Sequence, residues 1–288
     1  MAIFISDNNT IKWNHNGIHY CLHIHSDDEP CDPRKDYDNT ATMACWHRQY
    51  SLGDDIGKAT PEEFWQGLVR DNLSEDEILT ALKAGKARGI RIEQVGDDLY
   101  NVYESYMNIE GEKEGLVYEG IPECNLVPYL LDDLEVADCT QLLDDNLVWL
   151  PLWLYDHSGI TMSCGKRIYP YSDRWDSSCV GFIVMTKETA FKELAATEGN
   201  WREKAIAVME AEVETYDQYL RGEVYGYTLY EESANGEWTE IDSCWSFFGD
   251  DLLENGILDD CPGLHEAINS CDYEKGTAEL HTTSWYTF

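Results

Sequence analysis

The sequence has 288 residues, of which 43% are hydrophobic, and its 56 Asp and Glu against 20 Lys and Arg give a formal net charge of −36. A chain of this length and apolar content can bury a substantial core. Its acidity disfavours direct binding to nucleic acid or to an anionic membrane, and it favours a basic protein partner.

The apolar segments and the cysteines predict the cellular compartment of the protein. No apolar run reaches the roughly 18 to 20 residues that a membrane-spanning helix needs, and the first residues carry no basic leader. The ten cysteines are spread along the chain without a CxxC pair, which is typical of reduced and mostly buried thiols. We therefore expect a cytoplasmic protein.

The first half of the chain predicts a strand, two helices and a hairpin. Residues 18–26 alternate apolar and polar side chains, the period of a half-buried strand. Thr60 and Ser74 are each followed three residues later by a glutamate, and this pattern predicts capping boxes that begin two short helices. Residues 96–98 predict the turn of a β-hairpin.

An acidic connector at residues 108–124 is the best candidate for a boundary in the chain. It divides the sequence into an N-terminal α+β subdomain, residues 1–110, and a C-terminal α+β subdomain, residues 111–288. A single domain is the alternative.

The second half predicts an apolar strand, a long helix and another hairpin. Pro151 indicates that the strand at residues 146–156 has an edge position or a bulge. Residues 200–222 have the period of a long amphipathic helix, and Asn235-Gly236 predicts a type I′ turn. The elements together predict an α+β fold in which a few helices pack on antiparallel or mixed β-sheets.

Carboxylates are distributed over the chain rather than gathered in a tail. Asp-Asp dyads recur, and a single dyad is usually a turn or a helix start. Three acids at i, i+4 and i+7 of the long helix predict a negative ridge. The acids expected to bind a basic partner are this ridge and three dyads that we expect to be exposed: Glu210, Glu214, Asp217, Asp54-Asp55, Asp250-Asp251 and Asp259-Asp260.

The stretch Asp156-His157-Ser158 has the residue types of a hydrolase triad in consecutive positions. Alternate side chains of a strand point to opposite faces, so these three residues cannot act together. His157 alone remains a candidate general base, and an ordinary turn is the alternative. Its possible partners in the segment "YSDRWDSSC" are Asp173, Asp176 and Cys179.

His19, His23 and His25 share one face of the predicted strand at residues 18–26. Two imidazoles in His-x-His spacing can bind one metal ion, and the acids that follow at residues 27–32 can complete the ligand set. A polar strand face that contacts solvent is the simpler explanation. We therefore expect no cofactor, and a metal at this face is the alternative.

Five segments resemble an uncharacterised family of proteins carried by bacteriophages and mobile elements: "DPRKDYDNTATMACWHRQYSLGD", "WLPLWLYDHSGITMS", "DRWDSSCVGFIVMTKE", "EVETYDQYLRGEVYGY" and "DSCWSFFGD". The resemblance spans about residues 20 to 250. It implies an accessory gene, and such genes frequently counter host defences, in some cases through acidic proteins that mimic DNA.

Charge and resemblance lead to one expectation about function. The protein would inhibit a basic nucleic-acid-binding defence protein of the host cell, of the restriction or CRISPR type, through an acidic DNA-mimicking surface. One alternative is a small metal-assisted hydrolase that uses His157 with Asp156 or Asp176, or the histidine face of residues 18–26. A scaffold that binds through its aromatic residues is another. The GxSxG, P-loop, GxGxxG and HExxH signatures of common enzymes are absent.

Overall fold

The computed structural model describes residues 4–5, 9–57, 59–109, 111–165 and 175–276. Within these ranges the chain forms seven α-helices and twelve strands in three antiparallel sheets, so the α+β prediction is confirmed. The helices are α1 Pro61–Asn72, α2 Glu75–Lys83, α3 Glu123–Leu130, α4 Val136–Leu142, α5 Lys187–Glu193, α6 Trp201–Leu220 and α7 Leu264–Ser270. The strands are β1 Thr10–His15, β2 Ile18–Ser26, β3 Thr42–Cys45, β4 Ile90–Gln94, β5 Leu99–Asn108, β6 Gly111–Pro122, β7 Leu147–Asp156, β8 Ile160–Cys164, β9 Ser177–Thr186, β10 Val224–Glu232, β11 Trp238–Phe248 and β12 Tyr273–Gly276.

The five-stranded sheet has the order β11-β10-β2-β1-β12 and joins the two ends of the chain. The predicted strand at residues 18–26 is β2, and its alternation buries Tyr20, Leu22 and Ile24 against α7 and the short helical turn at residues 257–260. Strands from both predicted subdomains are therefore hydrogen-bonded neighbours in one sheet.

The four-stranded sheet, in the order β3-β9-β7-β8, lies between two layers of helix. One face packs against Met209 and Val213 of α6. The other face places Trp149 beside Trp65 of α1, with ring centroids 5.8 Å apart. The apolar residues of β7 thus contribute to two hydrophobic cores, one on each face of the sheet.

Pro151 is not on an edge strand, because β7 pairs with both β9 and β8. The ladder to β8 begins at Leu152, and next to it the backbone N–H of Gly165 donates a 3.3 Å hydrogen bond to the Pro151 carbonyl. The β7–β9 register also shifts between Leu152 and Trp153, which confirms the bulge that was the other predicted explanation.

The three-stranded sheet, in the order β4-β5-β6, packs against α2 and α3. The expectation of a connector at residues 108–124 is wrong, because residues 111–122 form β6 and continue the predicted β4–β5 hairpin. The charged residues of β6 are exposed along an edge strand, which explains why their acidity resembled that of a linker. The boundary proposed after residue 110 falls at the β5–β6 turn.

Local signals predicted the helix starts correctly. Both capping boxes are present, with Thr60 and Glu63 at α1 and with Ser74 and Glu77 at α2. The turn between β10 and β11 is not type I′, because Gly236 has a φ of +82° whereas Asn235 has no positive φ. None of the helices in the described ranges is long and apolar enough to cross a membrane.

Candidate functional site

The predicted negative ridge of α6 consists of two exposed glutamates and one buried aspartate. Glu210 and Glu214 are exposed, but Asp217 is only 6% exposed. Asp217 Oδ1 accepts a 2.6 Å hydrogen bond from the backbone N–H of Met162, and its Oδ2 lies 3.0 Å from Arg221 Nε. The expectation that Asp217 is a surface acid is therefore wrong, since it ties α6 to β8.

The C-terminal end of α6 gathers further carboxylates. Burial raises the pKa of Glu223, and the negative charges of Asp250, Asp217 and Glu214 raise it further. Arg221 opposes this shift and is ion-paired with both Asp217 and Glu223. The charges of these acids thus act on Glu223, and Asp217 and Glu223 share Arg221.

Glu210 and Glu214 continue the negative region toward β8. Burial and then these two charges raise the pKa of the Cys164 thiol to about 11. All residues in the last turn of α6 are described by the structure, and none of them is basic. The negative end of the helix dipole therefore adds to the negative potential of these carboxylates. We refer to four partly or fully exposed carboxylates, which lie from the middle of α6 to the segment after β11, as the α6 acidic cluster: Glu210, Glu214, Glu223 and Asp250.

Asp54 is part of a buried network around Arg34, which is 6% exposed. Arg34 donates two 2.8 Å hydrogen bonds to the two carboxylate oxygens of Asp54, and one of 2.7 Å to Glu212 Oε2. Glu212 Oε1 accepts the backbone N–H groups of Thr40 and Ala41. Asp54 therefore holds the loop at residues 32–41 in place, and the expectation that it is an exposed binding acid is wrong.

The other predicted dyads have mixed environments. Asp55 and Asp251 each accept the N–H of the residue two positions later, at 2.9 and 3.1 Å, as in an Asx turn. Asp259 Oδ1 lies 3.1 Å from His265 Nε2, and Asp260 is exposed. Of these acids, Asp55, Asp259 and Asp260 are exposed, whereas Asp251 is half-buried.

The structure brings His157 together with one of its three candidate partners. His157 Nδ1 lies 2.9 Å from Asp176 Oδ2, and the backbone N–H of Asp156 donates to the carbonyl of Asp176. A carboxylate only accepts, so Nδ1 carries the proton and Nε2 is left to act as a base. The pair lies open to solvent, since the two side chains are 62% and 35% exposed.

The surroundings of this pair contain few reactive groups. Tyr50 Oη donates to Asp156 Oδ1 at 3.3 Å. Burial raises the pKa of the Cys179 thiol, which opposes a role as a nucleophile. Asp173 lies outside the described residues. The arrangement provides a positioned base, and the part of the chain described here supplies no activated nucleophile beside it.

The histidines of β2 contact one another and Asn14. His23 and His25 lie against one another with ring centroids 4.2 Å apart. Burial and the neighbouring His23 lower the pKa of His25, while His19 Nε2 lies 3.4 Å from Asn14 Nδ2. Throughout the described ranges, no group of three or more His, Cys, Asp or Glu side chains can hold a metal ion.

Sequence reasoning missed Arg34, Glu212 and Glu223. Arg34 and Glu212 are 178 positions apart, so no local pattern joins them. Glu223 follows the helix C-terminus directly and looked like one acid among 56. An isolated arginine in an acidic stretch, "DPRKDYDN", was the one available signal.

Comparisons of the chain with protein-family models, with curated proteins and with solved structures gave no match. The function proposed below therefore rests on the contacts, burial and charges of the residues just described.

Proposed function

We propose that the protein binds a basic nucleic-acid-binding protein of a bacterial host and occupies its nucleic-acid site with the α6 acidic cluster. The partner belongs to the restriction or CRISPR type of defence protein, and the acidic surface acts as a mimic of DNA phosphates. The observation that carries the proposal is the group of four carboxylates that runs from the middle of α6 to the segment after β11; of these four, Glu223 is ion-paired with Arg221.

The scale of the charge is suited to this role. A compact chain of 288 residues is roughly 50 Å across, and the same length of B-DNA carries roughly 30 negative charges. The net charge of −36 is comparable with that figure. Long-range attraction of this strength accelerates association with a basic partner and excludes acidic ones.

Rigidity also supports the proposal. Asp217 fastens α6 to β8 by the bond to Met162, and Glu212 fastens the same helix to the loop at residues 32–41. The exposed carboxylates beside them are therefore presented on a fixed scaffold, and binding loses little conformational entropy.

Competition for DNA tests the proposal. Purified restriction and CRISPR effector proteins are each bound to a fluorescent duplex, and displacement of the duplex is followed by anisotropy. We expect displacement from at least one effector, with an apparent affinity that falls at least about tenfold between about 50 and 500 mM salt. Displacement that is insensitive to salt contradicts phosphate mimicry.

Two variants of equal charge locate the surface. The first removes the α6 acidic cluster through Glu210→Gln, Glu214→Gln, Glu223→Gln and Asp250→Asn. The matched control neutralises four exposed acids of the three-stranded sheet and its turns through Asp97→Asn, Asp98→Asn, Glu112→Gln and Glu119→Gln. We expect the first to lose at least about tenfold in affinity and the control to lose much less. Equal losses of affinity in the two variants would show that binding depends on net charge alone and not on the α6 acidic cluster.

A second candidate function is a small hydrolase with His157 as general base and Asp176 as the group that orients it. The 2.9 Å contact between the two side chains favours this candidate, because a base held by a carboxylate is the recurring arrangement in hydrolysis.

His157→Ala separates the two candidates. An inhibitor keeps its displacement of DNA in this variant, whereas a hydrolase loses turnover of nitrophenyl ester or phosphate substrates while its circular dichroism is unchanged. Absence of turnover by the unmodified protein would remove the hydrolase for these substrate classes.

A further inference from the structure

A groove of about 340 Å³ lies beside the exposed face of α6. Its walls come from the loop at residues 33–39, from α6 and from the end of β11. The side chains that give it an apolar character are Pro33, Tyr37, Val208, Ala211 and Phe248. Its volume falls within the range of sites that accept one side chain or a small ligand.

Two aromatic rings form one side of the groove. Tyr37 and Phe248 meet edge to face, with centroids 6.0 Å apart and planes at 77°. Tyr37 remains 44% exposed although it is large and partly apolar. An aromatic pair left open in this way offers ring faces to a guest.

The network around Arg34 keeps the groove open. Arg34 fixes its own loop to Glu212 of α6, and Asn39 Nδ2 donates to the carbonyls of Pro33 and Tyr37. On β11, Ser246 has a φ of +70° at an irregularity in the β10–β11 pairing. The loop wall is therefore held in place by hydrogen bonds to α6 and within the loop.

Carboxylates stand next to the lining residues in the chain. Asp36 and Asp38 flank Tyr37, and Asp250 follows Phe248 by two positions. We refer to Asp36, Asp38 and Asp250 as the acidic rim. Lys35 is held by Asp32 at 2.6 Å. Glu212, which lines the groove, is already neutralised by Arg34. Charge alone thus selects a cationic guest.

A guest for an apolar groove with aromatic walls and an acidic rim has an apolar stem and a cationic head. Arginine satisfies both conditions. It also surpasses lysine here, because the planar guanidinium is more weakly hydrated, stacks on aromatic rings and bonds carboxylates with two parallel N–H groups.

We propose that this groove seats an arginine side chain of the basic partner, with its stem against Tyr37 and Phe248 and its guanidinium facing the acidic rim. The inference rests on the proposed function and deepens it. Binding then has two parts, a long-range attraction by net charge and a short-range preference for arginine over lysine.

Two labelled peptides of glycine and serine, one with arginines and one with the same number of lysines, test the inference by fluorescence anisotropy. We expect the arginine peptide to bind about fivefold more tightly or better, as stacking on an aromatic ring predicts. Ala211→Trp fills the groove and should reduce the arginine peptide to the affinity of the lysine peptide. Ala207→Trp, one turn earlier on the exposed face of the same helix, should leave the preference intact.

The outcomes separate the two proposals. Equal binding of both peptides to the unmodified protein, or a preference that survives Ala211→Trp, overturns the arginine seat and leaves the acidic binding surface in place. Failure of both peptides to bind at about 50 mM salt, where attraction between opposite charges is strongest, overturns the proposed function and the arginine seat with it.

Discussion

Two sets of carboxylates on one helix differ completely in their surroundings. Glu212 and Asp217 of α6 are bonded to Arg34, to Arg221 and to backbone N–H groups, and little of either reaches solvent. Glu210 lies two positions before Glu212, Glu214 lies between Glu212 and Asp217, and both Glu210 and Glu214 are exposed. The role of an acid on this helix is therefore not decided by its position in the helical pattern. It is decided by the residues that contact it from neighbouring elements.

The energetics of the two sets differ for the same reason. A buried charge loses its hydration and must be matched by a partner, so removal of that partner is costly. An exposed charge keeps its water and is screened by salt, so its removal costs little. The buried set should therefore govern stability and the exposed set should govern binding.

The largest expected effect comes from Arg34→Met. It leaves Asp54 and Glu212 without their shared cation, and we expect the free energy of unfolding to fall by about 3 to 5 kcal/mol in urea titrations. Arg48→Met changes an exposed arginine and should stay within about 0.5 kcal/mol. Equal effects of the two changes would contradict a structural role for the buried network.

A smaller loss is expected from Asp217→Ala. The N–H of Met162 loses its acceptor and Arg221 loses one partner, so unfolding should become easier by about 1 to 3 kcal/mol. Glu214→Ala, three positions earlier, removes an exposed acid and should change stability by at most about 0.5 kcal/mol. The comparison fails if the Glu214 variant is the less stable of the two.

Local features were predictable from the sequence because they depend on near neighbours. Thr60 with Glu63, and Ser74 with Glu77, define helix starts within four residues, and the period of α6 is complete in itself. The same reasoning reduced the partners of His157 to three candidates, and of the two that the structure describes, Asp176 is in contact with it.

Features that depend on tertiary neighbours were not predictable. Asp217 has the pattern of a surface acid, and it is buried only because β8 packs over it. β6 has the composition of a linker, and its pairing with β5 decides its structure. The bonds of Arg34 to Asp54 and Glu212 unite three separate segments, which no window of sequence contains.

Glu223 is half-buried beside the exposed carboxylates, so its environment is intermediate between those of the buried and exposed sets. The pH dependence of stability tests which set it resembles. Burial and neighbouring acids raise the pKa of Glu223 in the folded protein. Protonation of Glu223 therefore stabilises the folded state, and this stabilisation is fully present below the unfolded pKa and is lost as the pH rises through the folded pKa. We expect stability to increase on going from about pH 7 to about pH 5. Glu223→Gln should show a smaller increase in urea titrations, and Glu119→Gln should behave like the unmodified protein.

The smallest effect on stability is expected from His157→Ala. Its hydrogen bond with Asp176 is largely exposed to solvent, and an exposed contact of this kind contributes about 0 to 1 kcal/mol. A midpoint of thermal unfolding close to that of the unmodified protein is the expected result. A large loss would show that the pair maintains the β7–β8 turn, and it would make the hydrolase experiment uninterpretable with this variant.

The five-stranded sheet can be completed only late in translation. β2 finds its partner β10 only after about 200 further residues have been made, which takes roughly 10 to 40 s at ribosomal rates. Until then, Leu22 and Ile24 of the nascent chain can enter only the β1–β2 hairpin, and a hairpin alone is marginally stable. We therefore expect premature termination before β10 to leave a fragment prone to aggregate.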